Sequence, residues 1–249
     1  MRILIALALL AMPCGSPSQA QTLRADAPPS FSPAQRQEII GILRGALRDD
    51  PTMLRDALVA VEAAEQRDRE DQARLVIQRS QQALFRDSAD PVRGNPAGAI
   101  TVVEFFDARC TYCKQMVPAL NELVRRHRDV RLVLKDMPIL GATSLLASRA
   151  LLAAQRQGKY HEYHDALLTA RDDLTEPVLK REAEKLGLNW TRLRADMDDP
   201  AIRQRLDANI ALARQLGVEG TPAFIIGDRL VAGATDLAGL ERLVAEARR

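Results

Sequence analysis

The spacing of apolar positions changes character along the chain. From residue 32 the period is helical: Ile39, Ile40, Leu43, Ala46 and Leu47 recur three or four residues apart. Ser32-Pro33-Ala34-Gln35 opens this helix. Ser32 can cap, Pro33 suits the first helical position, and Gln35 can close a capping box. Asp49-Asp50-Pro51 ends it and starts a second helix with Asp50 as cap. There Leu54, Leu58 and Val61 form a stripe that gives way to the charged run Glu65–Gln72. Either the helix continues through this run, solvated, or it breaks there into a hinge. A helix so long with so narrow a stripe cannot bury itself alone. The favoured partner is a second copy of the chain, making 32–86 a helical oligomerisation segment. Packing against the following domain is the alternative.

Residues 87–98 (DSADPVRGNPAG) are dense in turn formers and predict a linker. Beyond them the period shortens. Ala99–Phe106 reads as a buried strand and Val130–Leu134 as a second, with a helical pattern over Cys113–Arg128 between them. Helical stretches follow at 144–157, 160–171, 176–186 and 200–216. Ala223–Ile226, a Gly227-Asp228 turn and Leu230-Val231 then predict a hairpin, and Asp236 caps a last helix. The fold class is α/β: a domain over 99–249 with helices on a small mixed sheet and a helical insert at about 143–216, preceded by the all-helical extension.

Composition narrows the function classes. Hydrophobic residues make up 47% and charged residues 27% of 249, which excludes a disordered chain. A formal charge of +2 gives no support to nucleic-acid binding. Met1-Arg2, the apolar run Ile3–Met12 and the exit Ser18-Gln19-Ala20 describe a cleavable signal peptide over 1–20. The run is about half the length of a membrane span. A lipid on Cys14 is disfavoured by Pro13 just before it. Residues 21–31 read as a flexible lead-in. Cleavage leaves two cysteines, Cys110 and Cys113, in an oxidising compartment, the periplasm.

Those two form Cys110-Thr111-Tyr112-Cys113 between a predicted strand and helix. Cys110 then sits at a helix N-terminus, where unpaired N–H groups and the dipole stabilise a thiolate, the attacking species in disulfide exchange. Cys113, one turn on, is placed to resolve a mixed disulfide. Half of a zinc site has the same spacing, but no second Cys-x-x-Cys or Cys-x-x-His completes it. A purely structural disulfide closing so short a loop gains little chain entropy. Glu104, in the preceding strand, is either a buried acid exchanging protons with Cys113 or an edge-strand surface residue. Pro118 interrupts the helix pattern. Pro222, in Gly220-Thr221-Pro222-Ala223, is a candidate cis proline opposite the cysteines, or an ordinary turn proline. His161 and His164 share a helical face and form a weak candidate metal pair; His127 suits a helix end.

CTYC after VVEFFDAR, a proline-interrupted helix and a late GTPAF resemble the DsbA-like thioredoxin-fold thiol–disulfide oxidoreductases over about 95–247. That resemblance implies Cys110 as nucleophile, Cys113 as resolving thiol, Glu104 as buried acid, and Thr221-Pro222 as the cis-proline loop touching substrate. It also implies a charged residue, Lys135, near that acid. Where DsbA has Pro-His between its cysteines this chain has Thr111-Tyr112, so no imidazolium stands there. Tyr112, with Thr221 before the proline, looks more like the isomerase and reductase branches, and 32–86 looks like the extension of ScsC-type proteins, some of them trimers. The implied activity is isomerase or reductase rather than oxidase, on disulfide-bearing client proteins, with a membrane redox partner and no cofactor. The alternatives are a DsbA-type oxidase and a Cu(I)-binding protein using the same two thiolates.

Overall fold

A computed structural model describes residues 31–249. The signal peptide, Cys14 and the lead-in up to residue 30 lie outside the described residues. The chain divides into two compact units at Val59/Ala60.

In the first unit, α1 (Pro33–Asp49) begins as its sequence dictates. The Gln35 amide donates to Ser32 Oγ at 3.3 Å, and the Ser32 amide donates to Gln35 Oε1 at 2.8 Å. Asp50 Oδ1 accepts the Thr52 amide at 3.0 Å where α2 (Thr52–Arg79) starts. No residue of α1 is buried, and Ile39, Ile40, Leu43 and Leu47 are all exposed. Helix α2 runs unbroken through the charged stretch, so the hinge does not occur. It stops at Ser80 and is followed by α3 (Gln81–Phe85).

The second unit is a five-stranded sheet in the order β1-β3-β2-β4-β5. Its strands are β1 (Val92–Gly94), β2 (Ile100–Phe106), β3 (Val130–Asp136), β4 (Ala223–Ile226) and β5 (Arg229–Ala232). β2 and β3 are parallel, with Glu104 opposite Leu134 and Phe105 opposite Lys135. The other pairings are antiparallel, and β4–β5 is the predicted hairpin. Between β2 and β3 runs α4 (Thr111–Arg126), with Pro118 inside it. The insert is α5 (Ala142–Gln155), α6 (Tyr160–Thr169), α7 (Glu176–Lys185), α8 (Trp190–Asp196) and α9 (Pro200–Gln215); α10 (Leu237–Ala247) closes the chain with Asp236 as its cap.

Strand alternation divides the core in two. Val102, Phe106, Leu132, Leu134, Phe224 and Ile226 pack with α4, α10 and most of the insert. Val103, Phe105, Val133 and Ile225 face the other way, onto Leu212 of α9, its C-cap Leu216, and Ile77 and Leu84. The last two correct the expected domain boundary. The end of α2 and the Leu84-Phe85 end of α3 pack in this unit's second core, so only part of 32–86 is an extension. The charged run Glu65–Gln72 hid this, because it separates Ile77 and Leu84 from the earlier stripe.

Residues 87–98 are not a linker either. They supply β1, whose Val92 pairs with Val133, and the buried Asp90. The three residues Val92–Gly94 are too few to show a period, which is why turn formers dominated that stretch. The short α8 was missed for the same reason. β3 continues two residues past Leu134, since Lys135 and Asp136 are buried polar residues where the apolar pattern stops.

Candidate active site

β2 delivers the chain to the site through Asp107, which is fully buried. Its Oδ1 accepts the Arg109 amide at 2.8 Å and the Ser144 hydroxyl at 2.8 Å. Its Oδ2 accepts the amides of Ile139 and Leu140 at 2.9 and 3.0 Å. One carboxylate thus ties the loop before Cys110 to the loop after β3. Sequence reasoning missed this residue. Its only signal was an acid directly after a buried strand, where Asx turns are common.

Cys110 is the N-cap of α4, and its side chain caps nothing. The first backbone bond of the helix runs from the Lys114 amide to the Cys110 carbonyl, so the amides of Thr111, Tyr112 and Cys113 precede the intrahelical ladder. Those amides and the helix dipole meet at the thiol. Cys110 Sγ instead donates to the backbone carbonyl of Thr221 at 3.1 Å, and the Thr221–Pro222 peptide is cis. Both cysteines are free thiols; Cys110 is 7% exposed and Cys113 0%. Thr111 and Tyr112 between them are exposed, Tyr112 at 61%.

Behind Cys113 lies a buried polar cluster. Glu104 sits on a central strand, 1% exposed, and among the described residues neither carboxyl oxygen has a hydrogen-bond partner. Burial pushes it up to about 8, against the Arg93 guanidinium and with the help of Asp136. Burial, joined by the Glu104 charge, likewise pushes the Cys113 thiol far above its ordinary value. Asp136 is also 1% exposed and is raised by burial to about 7, although the Tyr160 hydroxyl donates to its Oδ2 at 2.7 Å. Arg93, from β1, is held by Asp165 at 2.7 Å and by Asn121.

Lys135 is not part of this cluster. It pairs across the ladder with Phe105 and therefore faces the opposite side of the sheet from Glu104. Its Nζ lies 2.6 Å from Asp90 Oδ2, with both side chains 2% exposed, and Arg205 contacts the other oxygen at 3.3 Å. The cation nearest the acid in effect is Arg93. Sequence spacing alone hides this, because one residue along a strand reverses the face.

The histidine pair is not assembled for a metal. His161 Nε2 meets the Val92 carbonyl at 2.8 Å, while His164 Nδ1 meets Asp165 at 3.1 Å. Among the described residues no group of three potential ligands converges. His127 pairs with Glu241 of α10 at 3.2 Å.

A parallel β–α–β unit continued by an antiparallel hairpin, with Cys-x-x-Cys opening the helix after β2 and a cis proline facing it, is the thioredoxin-like architecture of thiol–disulfide oxidoreductases. The DSBA-like thioredoxin domain matches residues 101–245, and the chain belongs to that family. A thioredoxin-like oxidoreductase from Silicibacter pomeroyi is 41% identical with a TM-score of 0.66, over 67% of this chain and 96% of its own. The thiol-disulfide exchange protein alpha-DsbA2 of Wolbachia pipientis is 30% identical, with a TM-score of 0.67 over 72% of this chain and 97% of its own. A linker-deleted mutant of ScsC from Proteus mirabilis is 25% identical, with a TM-score of 0.67. That match covers 89% of this chain and 99% of that one. Among curated relatives, the Na(+)/H(+) antiporter NhaA 3 of Salinispora tropica is 34% identical over 160 residues. These are 64% of this chain but 24% of the antiporter, so the chain spans about a quarter of the curated relatives it matches. Among the described residues no helix is long and apolar enough to cross a membrane.

Proposed function

We propose that this chain is a periplasmic enzyme that exchanges disulfides of client proteins through Cys110 and Cys113, as an isomerase or reductase rather than an oxidase. The observation that carries this reading is the asymmetry of the two thiols. Cys110 is partly accessible at the helix N-terminus, 3.1 Å from the Thr221 carbonyl, and Cys113 is sealed beside an acid.

In the reductive direction the Cys110 thiolate attacks a client disulfide. A Cys110–client disulfide forms, and the first client thiolate leaves and takes a proton from water. Cys113 then passes its proton to the Glu104 carboxylate and attacks Cys110 Sγ. The internal disulfide closes and the second client thiolate leaves, taking up a proton. Two electrons pass from the dithiol to the client. Reversal of the first step, before Cys113 acts, lets another client thiol attack, which is isomerisation. Thr111-Tyr112 supports this direction, since no imidazolium is present to hold the Cys110 thiolate against re-oxidation. Thr221 and Pro222 offer backbone beside Cys110 for an extended client segment.

The uncovered apolar residues of α1 and of early α2 support self-association through that part of 32–86, with a trimer among the expected states. Several sites around one misfolded client favour isomerisation. A membrane redox partner would return Cys110 and Cys113 to their working state.

The test uses a scrambled disulfide substrate. Cys110→Ser is expected to abolish exchange, and Cys113→Ser to accumulate a Cys110–client mixed disulfide. Retained exchange in Cys110→Ser defeats the mechanism. A native protein that oxidises reduced clients but does not rearrange scrambled ones reverses the direction.

A further inference from the structure

Two carboxyl groups, not one, are buried on the catalytic face of the sheet. Glu104 lies on β2 opposite Leu134 of β3, and Asp136 lies two residues further along β3, opposite Phe106 and therefore on the same face. Strand spacing and rise place their backbones about 8 Å apart, within reach for side chains of their length. Each is 1% exposed. Among the described residues both Glu104 oxygens and Asp136 Oδ1 have no hydrogen-bond partner, whereas Asp136 Oδ2 accepts from Tyr160 Oη at 2.7 Å.

We propose that Asp136 is a positioning residue for the proton transfer at Cys113: it carries the charge of a two-carboxyl cluster and thereby keeps Glu104 the more strongly basic, proton-holding member. The proposal rests on the thiol–disulfide exchange reading above.

Two carboxylates in a dry site cannot both ionise cheaply, so once Glu104 ionises, near about 8, beside a charged Asp136, it is a strong base for the proton of Cys113. Among the described residues the Tyr160 hydroxyl donates to Asp136, which stabilises charge there, so the proton that Cys113 gives up is held on Glu104. The surroundings fit this division. Arg93 from β1 opposes the rise of Glu104, and Arg205 from α9 opposes that of Asp136. Asp107, after β2, adds negative charge that works against ionisation of Asp136. From α6, Tyr160 has its own ionisation suppressed by burial and by Asp136. His164 is held toward its neutral form by burial. Cys113, from α4, is the remaining titrating group, and its proton is the one exchanged. Glu104 is returned to its carboxylate when the departing client thiolate or water takes up that proton, so Asp136 gains and loses nothing in the cycle.

The experiment follows the rate at which Cys113 resolves a preformed mixed disulfide between Cys110 and a small aromatic thiol, from pH 5 to 10, in the full chain. The Glu104 midpoint of native protein is expected to fall by about one pH unit in Asp136→Asn, because a neighbouring negative charge is gone. In a Glu104→Gln background, where that midpoint is absent, Asp136→Asn is expected to change nothing. Tyr160→Phe, which removes the hydrogen bond holding charge on Asp136, is expected to shift the midpoint in the same direction by less. It serves as the test if Asp136→Asn does not fold. An unmoved midpoint in the folded variant, or an equal rate change in the Glu104→Gln background, overturns the proposal. Retention of exchange by Cys110→Ser overturns instead the function on which it rests.

Discussion

Cys110 Sγ and the Thr221 carbonyl oxygen meet at 3.1 Å across 111 residues of sequence. The sheet makes this possible: β2, which leads to Cys110, is paired antiparallel with β4, which leaves Pro222, so Glu104 lies opposite Phe224 and the two loops emerge at one end. Cys110 at this contact is 7% exposed, whereas Cys113 is 0% exposed. In reduced native protein, iodoacetamide is therefore expected to label Cys110 at least about ten-fold faster than Cys113. In denaturant the rates should converge. Faster labelling of Cys113 would show that the roles are reversed.

Glu104 makes stability depend on pH. Its carboxyl is raised from 4.5 to about 8 in the folded chain by burial. Between those values the folded state holds a proton that the unfolded chain has lost. Stability from this group is thus complete below about pH 4.5, falls as pH rises, and levels off above about pH 8. Glu104→Gln removes the ionisation. It is expected to stabilise the protein on the order of 4 kcal/mol at pH 8 and to do little at pH 4. Urea unfolding at the two pH values measures this, and an equal effect at both refutes it. The same variant should slow resolution by Cys113.

The apolar period revealed the sheet, α4, most of the insert, the hairpin and the cis-proline position, because each is long enough to repeat or carries a distinctive neighbour such as the Cys-x-x-Cys. Elements defined by a few residues stayed hidden. β1 has three residues among turn formers, and its Arg93 is a main charge acting on Glu104. Asp136 looked like the polar end of a strand. Lys135 was associated with the acid because it is near in sequence, whereas the pleat sends it to the other face. Composition carries no information about which face a buried charge takes.

Lys135 tests that distinction. Its ammonium and Asp90 are buried together, and Lys135→Met leaves Asp90 with Arg205 alone. Breaking such a pair costs about 3–5 kcal/mol. The pH midpoint for resolution by Cys113 should stay where it is, since Lys135 and Glu104 lie on opposite faces. A shifted midpoint in a folded Lys135→Met protein would place Lys135 back in the catalytic cluster.

Asp107 is expected to matter through the loop that it holds in front of Cys110. Asp107→Ala strands three backbone amides and the Ser144 hydroxyl. A loss of roughly 2–4 kcal/mol follows from leaving the buried Ser144 hydroxyl and three partly buried amides without this acceptor. The loop carrying Cys110 also loses one of its ties to the 137–141 segment, the Arg109–Leu140 bond remaining. Exchange activity should fall even at temperatures where the variant is fully folded. Calorimetry and client turnover, compared on one preparation, would separate the two effects; unchanged turnover with lowered stability would make Asp107 structural only.

The N-terminal boundary gives the last prediction. Removing residues up to 59 deletes α1 and early α2 with their uncovered apolar residues and spares Ile77 and Leu84. That shortened chain is expected to be a folded monomer by light scattering, with reductase activity retained and isomerase activity reduced. Removing residues up to 89 also strips Ile77 and Leu84 from a core in which they are 2% and 0% exposed. At about 1.5–3 kcal/mol for each buried side chain, the longer deletion should cost roughly 3–6 kcal/mol of stability. Equal unfolding midpoints for the two shortened chains would return the end of α2 and α3 to the extension. An oligomer persisting without residues 1–59 would remove the apolar stripe as the cause of assembly.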